Sequence, residues 1–527
     1  MGRRDCRNVG AWSRFSLYVI LLFVLIVSSV NAQGVYEAWV GWYNGTLNDE
    51  DIAYAIGIGK DGTVYVTGKS DYQLTIIAYA PSGDTLWLRH YNAEFAYDLT
   101  VDDSGYLYIA GCNADYVTIK CKPNGDTVWV RYYQGPWFLD LPNALAVDAG
   151  GNVYVTGESE NIAGYEVYSE CATIKYAPNG DTLWVRRYNG GIGRAVAVDT
   201  NGNVYVVTDS VVKYLPDGST AWIRSFSGRA IALDHEGKVY VAGRSNGYFA
   251  TIKFAPNGDT AWLRTYVSAD SFGGSASALA VDDSGNVYVT GYDTGFPNDT
   301  ILYYSGDDII TVKYDKNGDT LWTQRWNGPE NLEDHSRVLK LDDSGNVYVA
   351  GYADEHLFLS YSKSLTIKYS PDGQMKWAKL FDPVPGVAFS NEAYDLAVNH
   401  AGNAYVTGWI SITNQDWLTI KYSPCSSIPG DVNGIGGITL TDIIHLINFY
   451  FDKDKPPCSG SDPGNCWEPN PICRGDVDGT PGTAITDIIY LVNYYFDKSR
   501  PATSCIGTDP GNCWTPVASG ACCLSVP

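Results

Sequence analysis

The sequence predicts an all-β fold: an eight-bladed β-propeller closed by its own N-terminal strand, followed by a small all-α domain built on paired calcium loops. Three observations lead there. A turn-and-strand phrase returns eight times, and a tryptophan phrase returns with one copy displaced to the chain start. After residue 424 both stop and a loop-helix duplication begins.

Residues 1–32 read as a secretory signal. Arg3, Arg4, Arg7 and Arg14 precede an apolar run from Leu17 to Val27, and Val30 and Ala32 suit the small pockets of a signal peptidase. A spanning helix takes about 20 apolar residues, so cleavage is favoured over a membrane anchor, and no membrane span is expected afterwards. The expected location is secreted or cell-surface.

Residues 33–424 carry the propeller. The first phrase is Asp61-Gly-Thr-Val-Tyr-Val-Thr-Gly68, with further copies ending at Gly111, Gly157, Thr208, Gly243, Gly291, Gly351 and Gly408. The second is a strand, a tight turn and another strand, clearest in Thr173-Ile-Lys-Tyr-Ala-Pro-Asn-Gly-Asp-Thr-Leu-Trp-Val-Arg-Arg-Tyr188. Its tryptophans are Trp87, Trp129, Trp184, Trp222, Trp262, Trp322 and Trp377. A weaker strand, such as Ala195-Val-Ala-Val198, precedes each first phrase. Four short antiparallel strands per repeat describe a propeller blade. The last copy, Thr419 to Tyr422, has no tryptophan strand after it, whereas Glu37-Ala-Trp-Val-Gly-Trp-Tyr-Asn-Gly45 matches one with no blade before it. Trp39 is therefore expected in the outer strand of the last blade, beside Thr419 to Tyr422.

Turn chemistry separates the faces. The Asp-x-x-Gly turns ask for a positive φ at glycine, so Asp102, Asp103, Asp282, Asp283, Asp342 and Asp343 read first as turn residues and only second as metal ligands. Length variation falls at the opposite end, in 158–171, 292–309 and 352–365 and in links near Asp140, Asp270 and Glu330. A variable rim is where such a ring would bind a protein or carbohydrate ligand. Trp137, Phe138, Tyr165, Tyr168, Tyr303 and Tyr304 are candidates there, as are Phe358, Tyr361, Trp409 and Trp417. The competing role for these aromatics is to pin long loops. Cys121 replaces the tyrosine of a Thr-Ile-Lys-Tyr phrase and is expected buried, while Cys112 and Cys171 lie at the variable end of neighbouring blades and could approach each other.

The repeat unit resembles the bacterial secreted β-propeller repeat family. Its Gly-x-x-x-Trp spacing, as from Gly180 to Trp184, is similar to the tryptophan-docking phrase of quinoprotein dehydrogenases, whose rings have eight blades. The resemblance implies a tryptophan that locks one blade to the next. Quinone-site residues cannot be placed on this chain.

Residues 425–527 carry the duplication. Gly430-Asp-Val-Asn-Gly-Ile-Gly-Gly-Ile-Thr-Leu-Thr-Asp442 and Gly475-Asp-Val-Asp-Gly-Thr-Pro-Gly-Thr-Ala-Ile-Thr-Asp487 each lead into an apolar helical run, with Ile443, Ile444, Ile447 and Phe451 near one side of the first. Calcium takes six to eight oxygens from a curled loop. Asp431, Asn433, Thr439 and Asp442 are expected around one ion, and Asp476, Asp478, Thr480 and Asp487 around the other. The pair resembles dockerin modules with type I calcium loops. That resemblance implies two loop-helix copies packed in near-symmetry and a cohesin-like partner, met by residues late in the loops: Leu440, Thr441, Ile485 and Thr486. Where the family usually carries Asp or Asn, this chain has Ile435, which offers no oxygen, and Thr480. A second duplication, Cys458 to Cys466 and Cys505 to Cys513, offers two local disulfides, with crossed pairing left open.

Composition narrows the function. With 36 basic and 59 acidic residues the net charge is −23, which argues against nucleic acid as a partner, since backbone binding wants a basic surface. The six histidines share no metal motif, and no nucleophile elbow or phosphate loop occurs. No pair among the many carboxylates is singled out for glycoside hydrolysis. The expectation is a calcium-binding scaffold or binding protein more than an enzyme. The alternatives are an extracellular polysaccharide-acting hydrolase and a cell-surface structural protein.

Overall fold

The structure, a computed structural model, describes residues 35–424 except 164–165, 269–270, 296–305, 356–360, 384–388 and 412–413. Among the described residues there are eight four-stranded antiparallel sheets. Seven are sequential meanders: blades 1 (52–91), 2 (95–133), 3 (140–188), 4 (195–225), 5 (227–265), 6 (271–326) and 7 (334–380). Blade 8 is assembled from both ends of the described chain, with Val35–Tyr43 as the outer strand against Gln415–Pro424. The first strand of each blade lies beside the first strands of both neighbours, and this inner circle closes between blades 8 and 1. Trp39 pairs with Lys421, so the expected closure is the observed one.

Strand alternation gives every blade two apolar faces, and one hydrophobic cluster fills each of the eight gaps between blades. The central tyrosine of the Val-Tyr-Val motif, which is Leu107-Tyr108-Ile109 in blade 2, is fully buried, as at Tyr108, Tyr154 and Tyr288. Its hydroxyl donates to the turn aspartate six residues earlier, at 2.9 Å from Tyr108 to Asp102 and 3.1 Å from Tyr288 to Asp282. The same aspartate accepts main-chain N–H groups of its own turn. Asp102, Asp282 and Asp342 are thus the turn residues read from the repeat, and each also satisfies a buried phenol. Asp103 and Asp343 lie exposed beside Lys60 and His400.

Blades are fastened by the tryptophans. The indole N–H of Trp184 donates to the Pro216 carbonyl of the next blade, 3.1 Å away, and Trp39, Trp87, Trp129, Trp222, Trp262 and Trp322 repeat the contact. Gly83 shows why the turn glycine is required. It sits at φ +98°, and a Cβ there would stand 2.7 Å from Trp39 Cγ, so both the backbone and the docked indole exclude a side chain.

A second clamp holds the blade links. Asp51, Asp140 and Asp334 are buried, and each accepts the N–H of an upstream glycine (Gly45, Gly135 and Gly328) at 2.6 Å.

Two expectations are corrected. Cys112, Cys121 and Cys171 are all buried free thiols, so Cys112 and Cys171 do not bridge. Cys112 shares the face of Tyr108 and Ala110, which is turned to blade 3, whereas Cys171 belongs to the cluster between blades 3 and 4. The sheet of blade 3 stands between the two sulfurs. Trp417 and Trp409 are also buried and not free rim groups: Trp417 donates to the Lys69 carbonyl at 2.8 Å and packs edge-on against Tyr43. Trp417 pins the last blade to the first.

Candidate functional site

The inner strands carry an irregularity that the repeat does not advertise. In seven blades one residue near the start of the strand is skipped by the ladder, a bulge that turns its side chain out of the pairing pattern. The skipped residues are Tyr54, Tyr97, Asn143 and Arg229 in blades 1, 2, 3 and 5. Ser277, Arg337 and Tyr394 follow in blades 6, 7 and 8. In blade 4 the corresponding residue is Arg194, just ahead of Ala195–Val198. All but Tyr97 line one axial pocket of about 740 Å³. It opens on the variable face: in blade 1, Ala53 pairs with Gly68, next to the second turn at Asp71 and Tyr72.

The ring has an aromatic arc and a cationic arc. Tyr54 stacks on Tyr394 with centroids 5.5 Å apart and planes 6° from parallel, and Tyr97 closes on Tyr54 at 5.7 Å. Burial pushes the Tyr54 hydroxyl up to about 12, so it stays a neutral donor. Arg337 lies 4.3 Å over the Tyr394 ring and 5.3 Å over Tyr352, joining the arcs by cation–π contact. His335 stacks on Tyr352 at 5.3 Å and reaches Asp307 at 3.0 Å. Burial works against the charge on Asp307, but the His335 and Thr294 hydrogen bonds outweigh it and hold its carboxyl below the usual range.

Carboxylates stand behind the ring, not in it. Glu392 pairs with Arg337 at 2.5 Å and Asp209 with Arg194 at 2.9 Å, and among the described residues no Asp or Glu lines the pocket. Asp98 and Asp395, on the inner strands, are both pushed up by burial, Asp98 to about 6. Each is occupied by two main-chain N–H groups: Leu99 and Leu145 on Asp98, Leu396 and Ile56 on Asp395. They tie one inner strand to the next and do not line the pocket.

Of the aromatics expected on the rim, Trp137 and Phe138 are exposed, at 42% and 77%, Tyr168 and Tyr361 are half-buried, and Tyr165, Tyr303, Tyr304 and Phe358 lie outside the described residues. The residues expected around calcium, Asp431, Asn433, Thr439, Asp442, Asp476, Asp478, Thr480 and Asp487, also lie outside them, as do residues 1–32 of the expected signal segment. Among the described residues no group of three or more His, Cys, Asp or Glu is placed to hold a metal, and no helix is long and apolar enough to cross a membrane.

No family model matches the chain, and no curated protein matches it. Solved structures match its fold. A quinohemoprotein alcohol dehydrogenase from Comamonas testosteroni is similar at 12% identity over 75% of this chain and 77% of its own, with a TM-score of 0.50. The C-terminal WD40 domain of Sif2 is similar at 10% identity over 74% of this chain and 98% of its own, with a TM-score of 0.51. At such identities the likeness establishes the β-propeller architecture.

Proposed function

We propose that this chain is an exported binding protein whose propeller takes a protein or carbohydrate ligand in the axial pocket of its variable face. The observation that carries the reading is the ring itself. Residues from seven of the eight repeats converge on one concavity, on the face where the loops vary, and they differ in type while the flanking strand positions repeat. Positions that only held the fold would be free to repeat as well. The pocket volume lies in the range of about 300–1,000 Å³ usual for ligand sites. Binding is favoured over catalysis because the lining offers no carboxylate pair for acid–base work.

The tail completes the proposal. Asp431, Asn433, Thr439 and Asp442 would hold one calcium, and Asp476, Asp478, Thr480 and Asp487 a second. The paired helices would dock a cohesin-like protein, placing the propeller on an extracellular assembly. Calcium would supply only charge balance and loop curvature there.

The test fills the pocket. Ser277→Trp projects an indole into it, and the full chain, unchanged or substituted, is immobilised and exposed to soluble polysaccharides and secreted proteins of the source. Ligand retained by the unchanged protein and lost at least tenfold in the variant, with an unchanged melting curve, supports the reading. Equal retention by both rejects it.

A further inference from the structure

We infer that the axial pocket selects carboxylate-bearing oligosaccharides. The inference rests on the pocket being the ligand site and names the class of ligand it takes. The chain carries 59 acidic residues and a net charge of −23, yet the pocket is lined by Arg194, Arg229, Arg337 and His335 with no Asp or Glu among them. A random patch of this surface would be acidic. Three guanidinium groups face two carboxylates, Glu392 and Asp209, which sit behind the lining. The surplus is located at particular atoms. Arg194 donates one nitrogen to Asp209, while its Nη1 is buried and has no hydrogen-bond partner among the described residues. Arg229 is exposed and makes no hydrogen bond or ion pair among them. A buried donor without an acceptor is costly, and a carboxylate fits the planar fork of a guanidinium. The exposed Arg229 is therefore placed to take a ligand carboxylate, beside Arg194 and Arg337 in the same lining.

The rest of the lining selects what bears that carboxylate. The parallel Tyr54–Tyr394 stack gives an aromatic platform, and Ser277 and Tyr292 add hydroxyl groups. A hydroxyl-rich ring with apolar C–H faces matches both features. A globular protein partner needs an interface above about 1,000 Å², whereas this is a narrow axial recess of about 740 Å³ that combines arginine and tyrosine side chains.

Calorimetry on the full chain decides it, with tetragalacturonate, its methyl ester and tetraglutamate as probes. The expected result is binding of tetragalacturonate at least tenfold tighter than of the ester or the peptide. Arg229→Gln should remove at least tenfold of the affinity for the acid and leave the melting temperature unchanged, and Arg194→Gln should do the same. Equal binding of acid and ester, indifferent to Arg229→Gln, would overturn the charge selection. Equal binding of tetraglutamate, sharing the loss in Arg229→Gln, would overturn the sugar class. No heat from any probe would overturn the inference outright. The pocket itself is judged separately by Ser277→Trp and the retained ligand, which uses none of these probes.

Discussion

Trp39 and Lys421 face each other across the ladder that closes the ring, and both donate to one oxygen, the carbonyl of Pro81 in blade 1, at 3.2 and 2.7 Å. Within single blades the same convergence recurs: Lys175 and Trp184 meet on Pro216, Lys213 and Trp222 on Pro256. Blade 8 therefore reproduces, from the two ends of the propeller, a junction that elsewhere one continuous hairpin supplies. Burial lowers the Lys421 ammonium below its ordinary value, yet the shared carbonyl accepts from it as from the indole.

Closure predicts asymmetric sensitivity to cuts. Trp39 packs 5.5 Å from Tyr79 and 6.1 Å from Tyr405, and large aromatic-to-alanine changes cost about 3–5 kcal/mol when fully buried. Trp39 is half-buried, so Trp39→Ala should cost about 2–3 kcal/mol by denaturant melts. Removing residues 33–45 should lower stability further, because the outer ladder of blade 8 goes with them. An unchanged midpoint in that truncation would mean the N-terminal strand does not close the ring.

The three propeller thiols should be inert in the native protein. Burial pushes the Cys112 and Cys121 thiols up to about 11 and raises Cys171 as well, which starves them of thiolate. Native alkylation followed by peptide mapping should leave all three unlabelled, and all three should label after unfolding. A peptide pair joined through Cys112 and Cys171 would contradict the faces assigned to them.

Acid should stabilise one clamp. Burial, then the charges of Asp308, Asp354 and Asp307, push Asp334 up to about 7, and its Oδ1 has no hydrogen-bond partner among the described residues. A carboxyl whose folded pKa lies above its unfolded value binds more protons when folded, so stability falls as pH rises from about 4 to 7. Asp334→Asn should remove that slope, matching the unchanged protein near pH 4 and exceeding it at pH 8 by up to about 4 kcal/mol, the equivalent of a shift of roughly three units. Parallel melting curves from pH 4 to 8 would refute the assignment.

Calcium should act on the tail alone. On the full chain, Asp476→Ala with Asp487→Ala should abolish one binding heat, and Ile435→Asp should tighten the other by supplying the missing oxygen. Chelation should leave the propeller melting transition in place. If chelation shifts that transition instead, calcium is held by the ring.

Much of the fold was legible because its repeat is chemical. Buried Val-Tyr-Val strands, turn aspartates and docked tryptophans recur wherever the same packing recurs, and the orphan strand at Trp39 revealed the closure. The axial ring was not legible for the opposite reason. Its members run Tyr, Tyr, Asn, Arg, Arg, Ser, Arg, Tyr, which a repeat alignment reads as noise. The usable signal was the small flanks, as in Ala53-Tyr54-Ala55, Gly228-Arg229-Ala230 and Ala276-Ser277-Ala278, where close inner strands tolerate little bulk. Trp417 lies next to a long loop in sequence, yet strand parity turns it inward toward Lys69.

His335 offers the most direct test of the central claim that ligand binds in the axial pocket. It is the one histidine among the described residues that lines the pocket, whereas His235 and His400 sit in the short Asp234-to-Gly237 and Asn399-to-Gly402 turns of the opposite face. Histidine-labelled full chain, titrated with the ligand that the unchanged protein retains, gives one NMR spectrum in which both faces report. The account predicts that the His335 ring signals move in proportion to occupancy while those of His235 and His400 stay in place. Movement of His235 or His400 with His335 unmoved would put the ligand on the wrong face and contradict it.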